Sequence, residues 1–233
     1  SKAVAQIALC YVKNAEAFGV AELDSAGRVA RLIEKPKVPP SDLALVGVYM
    51  FRPNIFDVID GLEPSGRGEL EITDAIQKLV SMGCEVSSQI VSGWWKDTGR
   101  PEDILEANQL VLSELEPLNK GKMENGAVIA GRVAVDEETT IRRGCNVGGP
   151  VIMGRNCDIG PDTYVGPYTS IGDNVVIEGG EIENSIVASD SVIRCGKRIV
   201  DSLIGKGSTI VAAETNLPKG CKVIIGENTF MSI

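Results

Sequence analysis

The chain has no histidine, and that absence removes the side chain most often used as a general base near neutral pH. Aromatic residues are scarce at 4%, and the only two tryptophans stand side by side as Trp94 and Trp95. No apolar run approaches the ~20 residues that a membrane-spanning helix requires, and the first residues do not read as a basic, apolar, small-residue signal peptide. No cluster of lysine or arginine stands out against a net charge of −9, so nucleic acid is not an expected partner. The cysteines, Cys10, Cys84, Cys145, Cys157, Cys195 and Cys221, contain no C-x-x-C pair. That scatter fits neither a zinc site nor a disulfide framework, and it predicts reduced thiols in a cytoplasmic protein. What remains is ordinary globular material: 233 residues, 43% hydrophobic and 24% charged, enough for one large domain or two modest ones. An acidic protein of this kind still admits anionic substrates, because a local basic pocket can hold a phosphate against the overall field.

Two grammars divide the chain. Residues 1–117 mix strand and helix signals. "QIALCYV" and "ALVGVYMF" are apolar runs of strand length, and "RVARLIEKP" alternates like a half-exposed strand. "ELEITDAIQKLVSMG" sets Ile72, Ile76, Leu79 and Val80 on one helical face and stops at Gly83. "PEDILEANQLVLSEL" opens with Pro101 at a first helical position and carries Glu102 and Asp103 in its first turn. Ile104, Asn108, Val111 and Leu115 follow at helical spacing. The run "SGWW" ahead of it reads as a buried strand. Pro117 and "NKGKMENG" punctuate the chain and set the expected domain boundary, 1–117 against 118–233.

The second part repeats with a period of six. Ile141, Val147, Met153, Ile159, Val165, Ile171 and Ile177 are all aliphatic or Met, and the residue two before each is Thr, Cys or Val. After a break around Gly179 to Ala188 the rule resumes at Ile193 and Ile199, then loses one residue and continues at Ile204 and Ile210. Hexapeptide repeats of this kind predict a left-handed parallel β-helix with three flat faces per turn, one hexad to a face. The sixth-position side chain points into the shared core, and the position two earlier has less room. On that pattern the cysteines and threonines are core fillers rather than ligands or nucleophiles, and Asp158 points outward.

Four stretches of the first part combine charge with turn residues: "EAFGVAELD", "IEKPKVPPSDLALVGVYMF", "SGRGELEITD" and "WWKDTG". Taken singly they have plain readings as solvated strand ends and surface turns, and Asp97 reads as a cap on the Thr98-Gly99 turn. Together they suggest one chemistry. Lys35 and Arg67 offer a point charge and a planar fork for a phosphate. Glu34 accepts hydrogen bonds from sugar hydroxyls, and Asp97 is a hard oxygen ligand of the kind Mg²⁺ shares with substrate phosphates. Gly19 and Gly47 leave backbone bare for a ligand to approach.

The order EAFGVAE, EKP, GVY, GRGELEITD, WWKDTG, followed by hexapeptide repeats, resembles the sugar nucleotidyltransferases, and among them the long-form glucose-1-phosphate thymidylyltransferases. The resemblance covers nearly the whole chain. It implies an α/β, Rossmann-like partial nucleotidyltransferase domain ahead of the β-helix. It also implies that Gly19 meets the sugar through its backbone, and that Glu34 and Lys35 bind the sugar hydroxyls and phosphate. Tyr49 then lines the sugar pocket, Arg67 contacts the phosphate, and Asp97 is one Mg²⁺ ligand. Lys35 and Arg67 are the residues expected to carry catalysis.

The family's glycine-rich "GxGTRLxPxT…KP" segment and its second carboxylate ligand do not occur among these residues. The chain is therefore expected to be the sugar-phosphate side of a larger enzyme and inactive by itself. The implied reaction is nucleotidyl transfer: a phosphate oxygen of glucose 1-phosphate attacks the α-phosphorus of dTTP, and pyrophosphate leaves. UTP or N-acetylglucosamine 1-phosphate remain open as substrates. Hexapeptide β-helices also occur in acyltransferases that use acetyl-CoA, but those generally need a histidine base, which this chain lacks. The repeat part is expected to be a scaffold that assembles a homo-oligomer.

Overall fold

The computed structural model describes residues 2–212 and the backbone of Val223–Ile224. The chain forms two compact units that divide between Asp97 and Thr98. The first is built on a sheet of β1 (Ala5–Tyr11), β2 (Gly19–Leu23), β3 (Val29–Glu34), β4 (Leu43–Phe51) and β5 (Val86–Ile90). Their spatial order is β3-β2-β4-β1-β5. β1 runs antiparallel to β4 and parallel to β5, and β2 runs antiparallel to β3 and β4. This is the α/β, Rossmann-like arrangement expected of the first part of the chain.

The alternation in β1 buries Ala5, Ile7 and Leu9 together with Leu32, Leu43 and Leu45. Two helices close that core: α1 (Ile55–Asp60) through Ile55 and Val58, and α2 (Ile72–Ser81) through Ala75, Ile76 and Leu79. Ile72 and Val80 pack at its margin, so the helical face legible in the sequence is the one that is buried. The helix stops where expected, with Gly83 at a φ of +75°.

Strand β4 carries a bulge. It takes four steps, from Leu45 to Tyr49, where β1 takes two, from Ile7 to Leu9. Gly47 sits inside the bulge at a φ of +83°, a conformation that side chains with a Cβ resist. The expected strand at "SGWW" does not form. After β5 the chain runs through residues 91–100 without regular structure, and Trp94 is half-exposed. Trp95 leaves the ladder to lie edge-on against Phe18, with ring centroids 5.3 Å apart, and its indole N–H donates to the Val46 carbonyl at 3.3 Å. Aromatic packing plus that one hydrogen bond, made to the bulge, holds the segment in place of strand pairing.

The second unit opens with α3 (Pro101–Ser113) and continues as a parallel β-solenoid. Helix α3 therefore clusters with the repeats rather than with residues 1–97. Its buried face is Leu105 and Leu112 with Asp103, while Ile104 and Val111 are exposed. The helix forms where the sequence placed it, and polar residues add to its attachment. Asn108 donates to the Tyr168 carbonyl at 2.8 Å and accepts from the Ser170 hydroxyl at 2.5 Å, and Gln109 donates to Asn184 at 2.7 Å.

Three inner rows run up the coil. One stacks Met123, Ile141, Ile159, Ile177, Ile193 and Ile210. The second stacks Ile129, Val147, Val165, Ile182 and Ile199. The third stacks Val135, Met153, Ile171, Val187 and Ile204. The rows pass without interruption through residues 179–188, where the sequence pattern breaks. Ile182 and Val187 are the inward residues there, each reached after a shortened step, with Gly179 and Gly180 at positive φ taking the tight corner. The repeat changes length at its corners and keeps its rows.

The smaller inner positions behave as core filler. Thr139, Cys145, Val151, Cys157, Thr163, Thr169 and Val175 are all buried, and the Cys145 and Cys157 thiols donate to the Ile159 and Gly172 carbonyls. Burial pushes both thiols up from their usual pKa, which keeps them in the unreactive protonated form. Cys10, Cys84, Cys145, Cys157 and Cys195 are free thiols, and Cys221 lies outside the described residues. Asp158 points outward as expected, but it is paired with Arg142 one turn below. Among the described residues no helix is long and apolar enough to cross a membrane.

Candidate functional site

The site is built at one end of the first sheet, where β2 begins and β3 ends. Gly19 and Glu34 are direct ladder partners there. A Cβ on Gly19 would stand 2.6 Å from the Thr73 methyl and 2.9 Å from Glu34 Oε2, so the absence of a side chain is what lets these two groups meet. Thr73, in the first turn of α2, is fully buried, and its hydroxyl donates to Glu34 Oε2 at 3.0 Å. The other carboxylate oxygen, Oε1, lies 3.5 Å from Arg67 Nη1. Glu34 is thus held at both oxygens, by a neutral donor on one side and a cation on the other.

Arg67 sits in the Ser65–Gly68 turn ahead of α2, its backbone N–H donating to the Ser65 hydroxyl at 3.2 Å. Its guanidinium meets Glu69 at 3.1 Å and Glu71 at 3.3 Å in addition to Glu34. Ser65 in turn donates to Glu71 at 3.1 Å. The expected phosphate-binding arginine is therefore shared among three carboxylates, at Nη1 and Nη2, and an incoming anion competes with them for its N–H groups.

Tyr49, on β4 beyond the bulge, stacks on Phe51 with centroids 5.9 Å apart. Burial first, and the charge of Glu34 second, push its phenol above the usual tyrosine range. That keeps the hydroxyl a donor and puts it within the field of the Glu34 carboxylate. Lys35 follows Glu34 with a φ of +41°, its N–H donating to the Phe18 carbonyl at 3.0 Å. A left-handed lysine before a proline is strained by roughly 1–2 kcal/mol. Its side chain is exposed and makes no ion pair among the described residues.

Asp97 is exposed, two residues beyond the Trp95 anchor on Phe18 and Val46. Among the described residues no three His, Cys, Asp or Glu side chains gather to hold a metal. Asp97 offers one carboxylate, a hard oxygen donor that does not make a metal centre alone. Geometry thus brings Gly19, Glu34, Thr73 and Arg67 together, with Lys35 next to Glu34 in the chain; Tyr49 joins them through the charge of Glu34, and Trp95 tethers the Asp97 segment. Sequence reading missed Thr73, Glu69 and Glu71 as parts of this cluster, although all three lie inside the GRGELEITD stretch.

A family model described as Nucleotidyl transferase matches residues 1–114, a span that contains every one of these groups. A low-salt glycan biosynthesis nucleotidyltransferase, Agl11, of Haloferax volcanii is 51% identical over 98% of this chain and 64% of its own length. A glucose-1-phosphate thymidylyltransferase of Streptomyces antibioticus is 44% identical over 98% of this chain and 64% of its own length. The chain belongs to the sugar nucleotidyltransferase family. A second model, described as GMPPB C-terminal domain, matches residues 147–231, within the solenoid unit. A bifunctional sugar-1-phosphate nucleotidylyltransferase/acetyltransferase of Sulfurisphaera tokodaii is 35% identical over 90% of this chain and 51% of its own length. The chain spans less than two thirds of the length of these relatives.

Proposed function

We propose that the intact protein transfers a thymidylyl group from dTTP to glucose 1-phosphate, giving dTDP-glucose and pyrophosphate, and that residues 2–97 supply the sugar-phosphate side of the site. The observation that carries this reading is the convergence of Gly19, Glu34 and Arg67 at one sheet end, with Tyr49 within the field of Glu34. Glu34 reads sugar hydroxyls beside the bare backbone of Gly19, and Tyr49 walls the ring. Arg67 exchanges carboxylate partners for the sugar phosphate, and Lys35 adds a point charge. Charge-assisted contacts of this kind hold the phosphate in line without any protein nucleophile. Asp97 would hold Mg²⁺ jointly with substrate phosphates, and the bound ion would neutralise charge that develops on them.

The family's glycine-rich nucleotide segment and second carboxylate ligand do not occur in the 233 residues. In this reading the chain alone releases no pyrophosphate. The solenoid acts as scaffold in a cytoplasmic homo-oligomer. Acetyl transfer, which the Sulfurisphaera relative's name includes, would need a base other than histidine, so acetyl-CoA titrated by calorimetry should give no heat.

The deciding test is pyrophosphate release by the intact protein, with dTTP and UTP crossed against glucose 1-phosphate and N-acetylglucosamine 1-phosphate. The dTTP and glucose 1-phosphate pair should be fastest. Asp97→Asn should remove most of that activity and leave the thermal melt unchanged. A cap role for Asp97 predicts the reverse: near-normal rates with about 0.5–2 kcal/mol of lost stability. Preference for another pair would overturn the substrate assignment.

A further inference from the structure

The first coil of the solenoid turns a corner at Asn125–Gly126, the sole Asn–Gly pair in the 233 residues. Gly126 has a φ of +91°, and the turn is closed by the Ala127 N–H donating to the Glu124 carbonyl at 3.1 Å. Both residues are exposed. Among the described residues, neither the side-chain amide of Asn125 nor the backbone N–H of Gly126 makes a hydrogen bond. Asparagines at other corners are committed. Asn156 donates to Asn174 at 3.0 Å, and the Cys157 N–H that follows it donates to the Thr139 hydroxyl at 2.9 Å. Asn184 donates to Asp201 at 2.6 Å and accepts from Gln109 at 2.7 Å. At Asn125 alone of these three, a free amide precedes a free backbone nitrogen, and the absence of a Cβ at Gly126 leaves that nitrogen uncrowded. Two groups held next to each other in one chain react without an encounter step.

We propose that Asn125 is a site of spontaneous covalent modification, converted by its own backbone and water into aspartate and isoaspartate. The Gly126 nitrogen gives its proton to solvent base and bonds to Asn125 Cγ. The side-chain nitrogen takes up a proton and leaves as ammonia, which closes a cyclic imide. Water then opens the ring. Breaking the bond from the Gly126 nitrogen to Cγ gives aspartate. Breaking its bond to the backbone carbonyl carbon gives isoaspartate, whose main chain runs through the side chain and is longer by a methylene. The products differ in consequence. Aspartate adds a carboxylate near Arg143, whose Cγ lies 3.6 Å from where a Cβ on Gly126 would stand and which makes no ion pair among the described residues. Isoaspartate instead stretches the corner leading into the strand Val128–Ala130, whose first N–H donates to the Cys145 carbonyl of the next coil at 2.8 Å. The longer backbone, rather than the charge, is what loosens the first coil.

The test is to incubate the folded chain at neutral and at mildly alkaline pH and to cut it with trypsin after Lys122 and Arg132. The Met123–Arg132 peptide is then followed by chromatography and mass spectrometry. A synthetic peptide of the same sequence supplies the unfolded rate. The peptide from the folded chain should gain the mass difference between an amide and an acid and appear as separate aspartyl and isoaspartyl peaks. Its rate should rise with pH and lie within about tenfold of the free peptide's. Asn125→Gln should suppress the change, because its longer side chain would have to close a six-membered ring. Asn125→Asp should melt like fresh wild type, whereas wild type aged into the isoaspartyl form should melt lower. A folded chain that stays unmodified, or reacts more than about tenfold more slowly than the free peptide, overturns the proposal. So does conversion of Asn125→Gln at the wild-type rate. An aged wild type that melts like the fresh protein overturns the loosening of the first coil. None of these outcomes touches the reading of the sugar site.

Discussion

Replacing Gly19 by alanine is the sharpest probe of the site, because the structure states what the new methyl meets. The added carbon would lie 2.6 Å from Thr73 Cγ2 and 2.9 Å from Glu34 Oε2, with Leu45 at an ordinary 3.6 Å. Relieving the first contact takes a displacement of about 1 Å, since carbon atoms prefer separations near 3.5–4.0 Å. Thr73 has nowhere to go: it is buried in the first turn of α2, one residue from Ile72 and two from Ala75 in the packed face. The displacement is therefore shared between the helix and Glu34. Overpacking of this sort costs about 1–3 kcal/mol, which in a unit of this size lowers the melting temperature by roughly 5–20 °C. A shift of about 1 Å in a substrate-positioning group costs on the order of a hundredfold in kcat/KM. The assay pairs a thermal melt with sugar-phosphate kinetics of the intact protein. The double variant Gly19→Ala with Thr73→Ser supplies the internal check. Serine lacks the methyl that clashes, so the double variant should recover most of the lost melting temperature. Wild-type kinetics and stability in Gly19→Ala, or no recovery in the double variant, would refute the close packing argued for this corner.

Arg67→Ala should raise the sugar-phosphate KM or lower kcat by roughly ten- to a thousandfold. Glu69→Gln, which removes one carboxylate competing for the same guanidinium, should instead lower that KM. Ile159→Asp puts an unpaired carboxylate between Ile141 and Ile177 in the inner row and should cost at least several kcal/mol by chemical denaturation. Asp158→Ala gives up only an exposed ion pair and should leave the transition nearly where it was. The buried thiols set a pH dependence. Their native pKa is raised, so their contribution to stability is complete below the unfolded thiol pKa and is lost as pH rises through and beyond it. Melts of the wild type should fall above about pH 8.5, and Cys157→Ser should show a shallower alkaline decline.

The parts of the fold legible in the sequence are those where one residue's identity answers to one local constraint. The apolar run of β1 and the face of α2 were read correctly, because apolar side chains there meet a single continuous core, whereas β3 forms where expected but buries Val29 and Leu32, three apart, instead of alternating. The hexad rule located the inner rows for the same reason, residue by residue, up to Ile177. It lost Ile182 and Val187 because a fixed period does not register a corner that drops a residue. Helix α3 was legible, from Pro101 at its start and Glu102 and Asp103 in its first turn, but its attachment through Asn108 and Gln109 was not, because apolar spacing does not report hydrogen bonds. Trp94 and Trp95 looked like strand because aromatic residues favour strands, whereas Trp95 serves as an anchor on Phe18. In the site, the charged residues were visible in their motifs. The contact between Thr73 and Gly19 was not, since nothing in the letters says that residues so far apart share one ångström-scale gap.

The shortened steps of the solenoid have a consequence for how such a chain can change. A one-residue deletion in β1 would turn every following side chain of that strand to the wrong face of the sheet. The same deletion between Ile177 and Val187 has in effect already been absorbed, with glycines at the turn and the stacked rows undisturbed. The corners act as slack in the reading frame of the coil, so length variation among related chains should collect there, one residue at a time, while the rows stay in step.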